Sequence, residues 1–91
     1  MAAVQSAQHL ALGNALRELR VQRGLSQEEL AYRAGLHRNY VGACERGEIN
    51  LSFRVLLQFT VGLRVELSEI VHHYERLERN SSREDPGSAN G

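Results

Sequence analysis

The chain has 91 residues, 42% of them hydrophobic, which is enough for one small folded domain and little more. Eleven arginines and no lysine stand against ten glutamates and one aspartate, so the formal charge is zero, an argument at first sight against a nucleic-acid binder. A single cysteine, Cys44, excludes an internal disulfide and a cysteine-based zinc site, and no apolar run approaches the roughly 20 residues that span a bilayer.

The first residues, Met1 to Leu12, are alanine-rich but lack a basic start and a continuous apolar stretch, so they do not read as a signal peptide. The single proline is Pro86, and the chain before it is rich in Leu, Ala, Glu and Arg, which predicts an all-α fold. The expectation is a soluble, cytoplasmic, helical protein. Leu12, Leu16 and Leu19, with Ala15, form the apolar stripe of a first helix that ends near Arg23 at Gly24; residues 1–11 are an N-terminal segment able to extend it backward. Ser26 followed by Glu29 is a capping box, and Leu25 with Leu30 is a hydrophobic staple, so a second helix starts there and stops at Gly35. A third helix spans about His37 to Glu45 and stops at Gly47. Its few apolar positions, Val41 and Cys44, leave most of its surface for something other than core.

Ser52 caps a fourth helix through Phe53, Leu56, Leu57 and Phe59, ending near Leu63. A fifth carries Leu67, Ile70, Val71, Tyr74 and Leu77 at helical spacing. From Asn80 the chain turns to Ser, Gly, Asn and charge, so residues 80–91 read as a disordered tail after a domain over 12–79. Cys44 takes a core position, and His72 with Glu75 reads as a solvated face rather than a metal pair.

The segment from Gln27 to Glu45 is two short helices joined at a glycine. Ala31 lets them cross closely, Gly35 permits the positive φ of the turn, and Val41 plugs the third helix into the core. That is a helix-turn-helix. With LSQEELA, AGL, ERG and a capped fourth helix in this order, the stretch from Leu12 to Val71 resembles a Cro/phage-repressor-type (XRE-like) DNA-binding domain. The resemblance implies a compact five-helix bundle and a sequence-specific transcriptional regulator of double-stranded DNA, working as a homodimer. No cofactor or metal is expected, and no enzyme: the chain has no nucleophile–base pair or phosphate-cradling glycine loop.

The resemblance also implies residue roles. The third helix enters the major groove and places His37, Arg38, Asn39 and Ala43 at base edges. Arg38 suits guanine and Asn39 adenine, while Ala43 offers at most a contact to a thymine methyl. Gln27, Arg46, Asn50 and Arg54 match backbone-binding positions, and Tyr40 stands where it can approach the same backbone. Tyr32 is open to two readings, an approach to the sugar–phosphate backbone and partial packing, with packing at least as favoured. Arg20 and Glu45 match a structural salt bridge between the first and third helices. Leu51 stands where the family often has Pro, and Arg64 where Gly often ends the fourth helix.

The stripe of Ile70, Tyr74 and Leu77 continues beyond what a small bundle needs and reads as intramolecular core, a dimer seam or both, with the dimer favoured; Val4 and Leu10 join that seam if the N-terminal segment is helical. Val55 and Val61 suggest an apolar surface on the fourth helix and support an alternative: a protein-interaction module, of antitoxin or regulatory-partner type, that keeps the fold but binds DNA weakly. Restriction-modification controllers, antitoxins and phage-type repressors all share this layout. The zero charge, finally, is uneven: residues 12–64 hold eight Arg against five Glu, a balance of +3, and residues 65–91 hold three Arg against six acids, a balance of −3.

Overall fold

A computed structural model describes residues 6–84, with side chains through Asn80. Five helices follow in order: α1 (Ala7–Gln22), α2 (Gln27–Ala34), α3 (Arg38–Glu45), α4 (Phe53–Leu63) and α5 (Leu67–Glu84). The described residues contain no strand. The order and type match the sequence expectation. Ser6 caps α1, accepting a hydrogen bond from the His9 amide, so the first helix begins well before Leu12. The last helix runs past residue 79 to Glu84; residues 85–91, like Val4, lie outside the described residues.

The starts of α2 and α4 are the predicted ones. Ser26 Oγ accepts from the Glu29 amide at 3.0 Å while Glu29 Oε1 accepts from the Ser26 amide at 2.8 Å, a complete capping box. Ser52 Oγ accepts from the Val55 amide at 3.1 Å. The ends of α1 to α4 repeat one motif, in which a left-handed residue donates back three positions and its successor five. Gly24, Gly35 and Gly47 fill the left-handed position in the first three, with φ of 68°, 73° and 75°. In α4 that position is Arg64, at φ 59°, with Arg64 N–H to Val61 O and Val65 N–H to Thr60 O completing the motif. A non-glycine there is strained by about 1–2 kcal/mol.

Leu16, Leu19, Leu30, Val41, Phe59, Leu63 and Ile70 are fully buried and form one core shared by all five helices. Each such side chain contributes about 1.5–3 kcal/mol by leaving water. Two crossings are set by absent side chains. A Cβ on Gly13 would lie 2.6 Å from the carbonyl oxygens of Cys44 and Glu45, so α1 and α3 approach to backbone contact. A Cβ on Gly62 would lie 2.9 Å from Ala34 Cβ, which brings α4 against α2. Gln58 Nε2 donates to the carbonyls of Ala34 and Gly35 and fastens α4 to the helix-turn-helix turn. Helix α5 lies chiefly along α1. Across that seam Glu18 accepts from Arg76 Nη2 at 2.7 Å and sits 3.1 Å from His73 Nδ1.

Candidate nucleic-acid interface

The outward face of α3 follows from what its inward face buries. Val41, Cys44 and Glu45 point inward, which leaves His37, Arg38, Asn39 and Arg46 in solvent. Burial pushes the Cys44 thiol up to about 12, with the neighbouring Glu45 carboxylate adding to the shift, so the thiol stays protonated at neutral pH.

Glu45 is held by three hydrogen bonds. Arg20 Nε donates to Oε2 at 2.6 Å, Arg20 Nη2 donates to Oε1 at 3.1 Å, and Gln27 Nε2 donates to Oε1 at 3.0 Å. Arg20 Nη1 spends its remaining reach on the Leu25 carbonyl. The expected pair between the first and third helices is therefore present, and it also fixes the start of α2. Gln27 thus has a structural hydrogen bond beside the backbone-binding role that the resemblance implies. Among the described residues no buried side-chain nitrogen or oxygen lacks a partner.

Gly42 lies where α3 passes the start of α2. A Cβ there would meet Arg46 Nη1 at 3.1 Å and Gln27 Oε1 at 3.4 Å. The result is a shallow polar depression of about 490 Å³ bounded by Ser26, Gln27, Glu28, Arg38, Asn39, Gly42 and Arg46. Its arginines are partnered locally. Arg46 Nε and Nη2 donate to the two carboxylate oxygens of Glu48 at 2.9 and 3.2 Å. These bonds hold the Glu48 carboxyl below the usual carboxylate range and raise the Arg46 guanidinium further. Arg38 Nη1 lies 3.9 Å from Glu28 Oε1.

Of the residues expected at base edges, His37, Arg38 and Asn39 share the exposed start of α3, and Ala43 is half-buried one turn on. His37 is itself the helix cap, its Nδ1 accepting from the Asn39 amide at 3.1 Å. Of the backbone-binding set, Arg54 is exposed at the start of α4, and Asn50 Oδ1 is 3.3 Å from His9 Nε2, tied to α1. Tyr40 is half-buried, and burial raises its phenol. Of the two readings of Tyr32, partial packing fails: it is 89% exposed.

The seam residues divide. Ile70 is core, 1% exposed, whereas Tyr74 and Leu77 are half-buried. Ile70 and Tyr74 line an apolar groove of about 310 Å³ with Leu12, Leu51, Leu56 and Val71. Leu10, now helical, is 42% exposed. On α4, Val61 is exposed as expected and Val55 packs partly against the core; Phe53 and Leu57 complete an exposed stripe at helical spacing. Sequence reasoning missed the Glu18–His73–Arg76 cluster, which joins residues 55 and 58 apart. It also missed the Arg46–Glu48 pair, which the R-G-E spacing around a turn glycine did carry.

A fold of this kind, with a short helix pair locked at its crossing and one polar helix face turned outward, is that of a helix-turn-helix domain. A family model of the helix-turn-helix domain matches residues 11–79, and the chain belongs to that family. The control protein C.SmaI of Serratia marcescens is 35% identical over 60 residues, covering 66% of this chain and 71% of that protein. The restriction-modification controller C.AhdI from Aeromonas hydrophila shares 45% identity over 71% of this chain and 98% of its own, with a TM-score of 0.70. The controller C.Esp1396I, solved as a tetramer in complex with its natural 35 base-pair operator, is 25% identical over 82% of this chain and 99% of its own, with a TM-score of 0.78.

Proposed function

We propose that this chain is a sequence-specific, double-stranded DNA-binding transcriptional regulator of the restriction-modification controller type, acting in the cytoplasm and not as an enzyme. The observation that carries the reading is the exposed start of α3, where Arg38 and Asn39 stand free of the core beside the depression at the start of α2. Helix α3 enters the major groove; Arg38 reads guanine and Asn39 adenine. His37 and Ala43 sit at the same base edges, His37 while capping the helix. Gln27, Tyr40, Arg46, Asn50 and Arg54 position the sugar–phosphate backbone.

The working unit is a homodimer in which a second copy covers the groove of Leu51, Ile70 and Tyr74, continued by Leu77. Two copies place their α3 helices in half-sites one helical turn apart, about 34–36 Å. The exposed Phe53–Leu57–Val61 stripe favours a second reading, a protein-interaction module with weak DNA binding.

Selection of bound duplexes from a random pool tests the first reading and yields the site. Arg38→Ala then costs about 1–3 kcal/mol at that site and relaxes the preference at one base pair, whereas Arg46→Ala weakens every sequence without changing the preferred bases. Unchanged binding of the selected site by Arg38→Ala contradicts the assignment of α3 as the reading helix. Failure to enrich any duplex leaves the interaction module as the better account.

A further inference from the structure

Resting on the DNA-binding reading above, we infer that Glu48, with Glu28, is a specificity-determining residue that holds an interface arginine in one direction and penalises binding to random DNA. Arg46 is engaged fork to fork: two of its N–H groups meet the two oxygens of Glu48 at 2.9 and 3.2 Å. The turn fixes Glu48 in its place, since its own amide donates to the Ala43 carbonyl at 3.0 Å across Gly47. The guanidinium in turn lies over Gly42, 3.1 Å from where a Cβ would stand. Carboxylate, turn and glycine together favour one geometry of Arg46 although it is exposed. Its Nη1 donors, free of Glu48, remain for DNA. Arg38 faces Glu28 more loosely, at 3.9 Å.

Two effects follow for DNA. A carboxylate beside each interface arginine repels phosphate, and sequence-independent binding is almost wholly electrostatic, so it bears that penalty in full. A buttressed arginine also points one way. At the selected site the DNA group lies where the free Nη1 already points, so the buttress removes an ordering cost and offsets the repulsion. On random DNA the backbone position varies, and an arginine released from its glutamate adapts to phosphates that a fixed one meets less closely.

Glu48→Gln and Glu28→Gln test this by removing charge at constant size. Glu75→Gln, an exposed position on α5, controls for net charge. Affinity is read by fluorescence anisotropy on two duplexes of equal length: one enriched by the wild-type chain from a random pool, and one of random sequence. In Glu48→Gln the random duplex binds at least about threefold tighter while the enriched duplex changes by less than about twofold, so discrimination falls. Glu28→Gln shifts the same way by less, and Glu75→Gln leaves the ratio unchanged. An equal shift on both duplexes in Glu48→Gln, or an unchanged affinity for random DNA, overturns the inference while leaving DNA binding intact. Failure of the wild-type chain to bind any duplex overturns the DNA-binding reading and this inference with it.

Discussion

Glu45 is an acidic side chain 3% exposed, and three donors from two other parts of the chain make that tolerable. Arg20→Ala strands the carboxylate with one donor and is expected to cost about 3–5 kcal/mol of folding stability, measured by urea denaturation. Arg20→Lys keeps a charge without the planar fork and falls between. A loss below about 1 kcal/mol for Arg20→Ala would mean that the pair is a solvated contact. At this scale the sequence was partly legible. Arg20 and Glu45 are 25 residues apart, and the family resemblance paired them where spacing alone does not. The third donor, Gln27, was read only as a backbone-binding residue, because nothing in its neighbourhood announces a partner 18 positions away. His73 was missed for the same reason: Glu18 meets it only after α5 lies down along α1.

Element boundaries were the most legible part, because capping is chemistry between neighbours. Ser26, Glu29, Gly35 and Ser52 each sit where a local rule places them, and each performs that function. The Glu29 carboxyl is held below the usual carboxylate range by its hydrogen bond to the Ser26 backbone, then by the Ser26 side chain. A lowered folded value means that the contribution is present above the unfolded carboxylate value, about 4.3, and is lost as pH falls through the folded one. Thermal stability is therefore expected to drop from about pH 5 downward, and Glu29→Gln flattens that part of the curve. An unaltered acid limb in Glu29→Gln would assign the dependence elsewhere.

Helix crossings were less legible, since a glycine inside a helix does not say what passes over it. Gly13→Ala drives a Cβ to 2.6 Å from two backbone oxygens, which no rotamer relieves. Its expected cost is about 1–3 kcal/mol, seen as a lower Tm. Gly42→Ala meets only the ends of Arg46 and Gln27, so its Tm stays closer to that of the parent chain. Equal losses in the two variants would contradict the close α1–α3 crossing.

For the whole molecule, the neutral formal charge conceals a division: +3 over residues 12–64 and −3 over residues 65–91. That division was visible in the sequence. Its arrangement needed the fold, which places Arg38, Arg46 and Arg54 in solvent around the helix-turn-helix and sets the Tyr74 groove on the seam of α1, α4 and α5. Among the described residues no helix is long and apolar enough to cross a membrane. On the proposed reading, three interface arginines per copy give one copy a modest electrostatic hold on DNA, and pairing two copies doubles it.

The most direct test is a salt titration of binding to the duplex selected from a random pool. With Arg46 and Arg54 of both copies on phosphates, log K is expected to fall linearly with log salt at a slope near −4, at about 0.9 per phosphate neutralised. A slope near zero, or no binding even at low salt, would contradict a DNA-reading function for this chain.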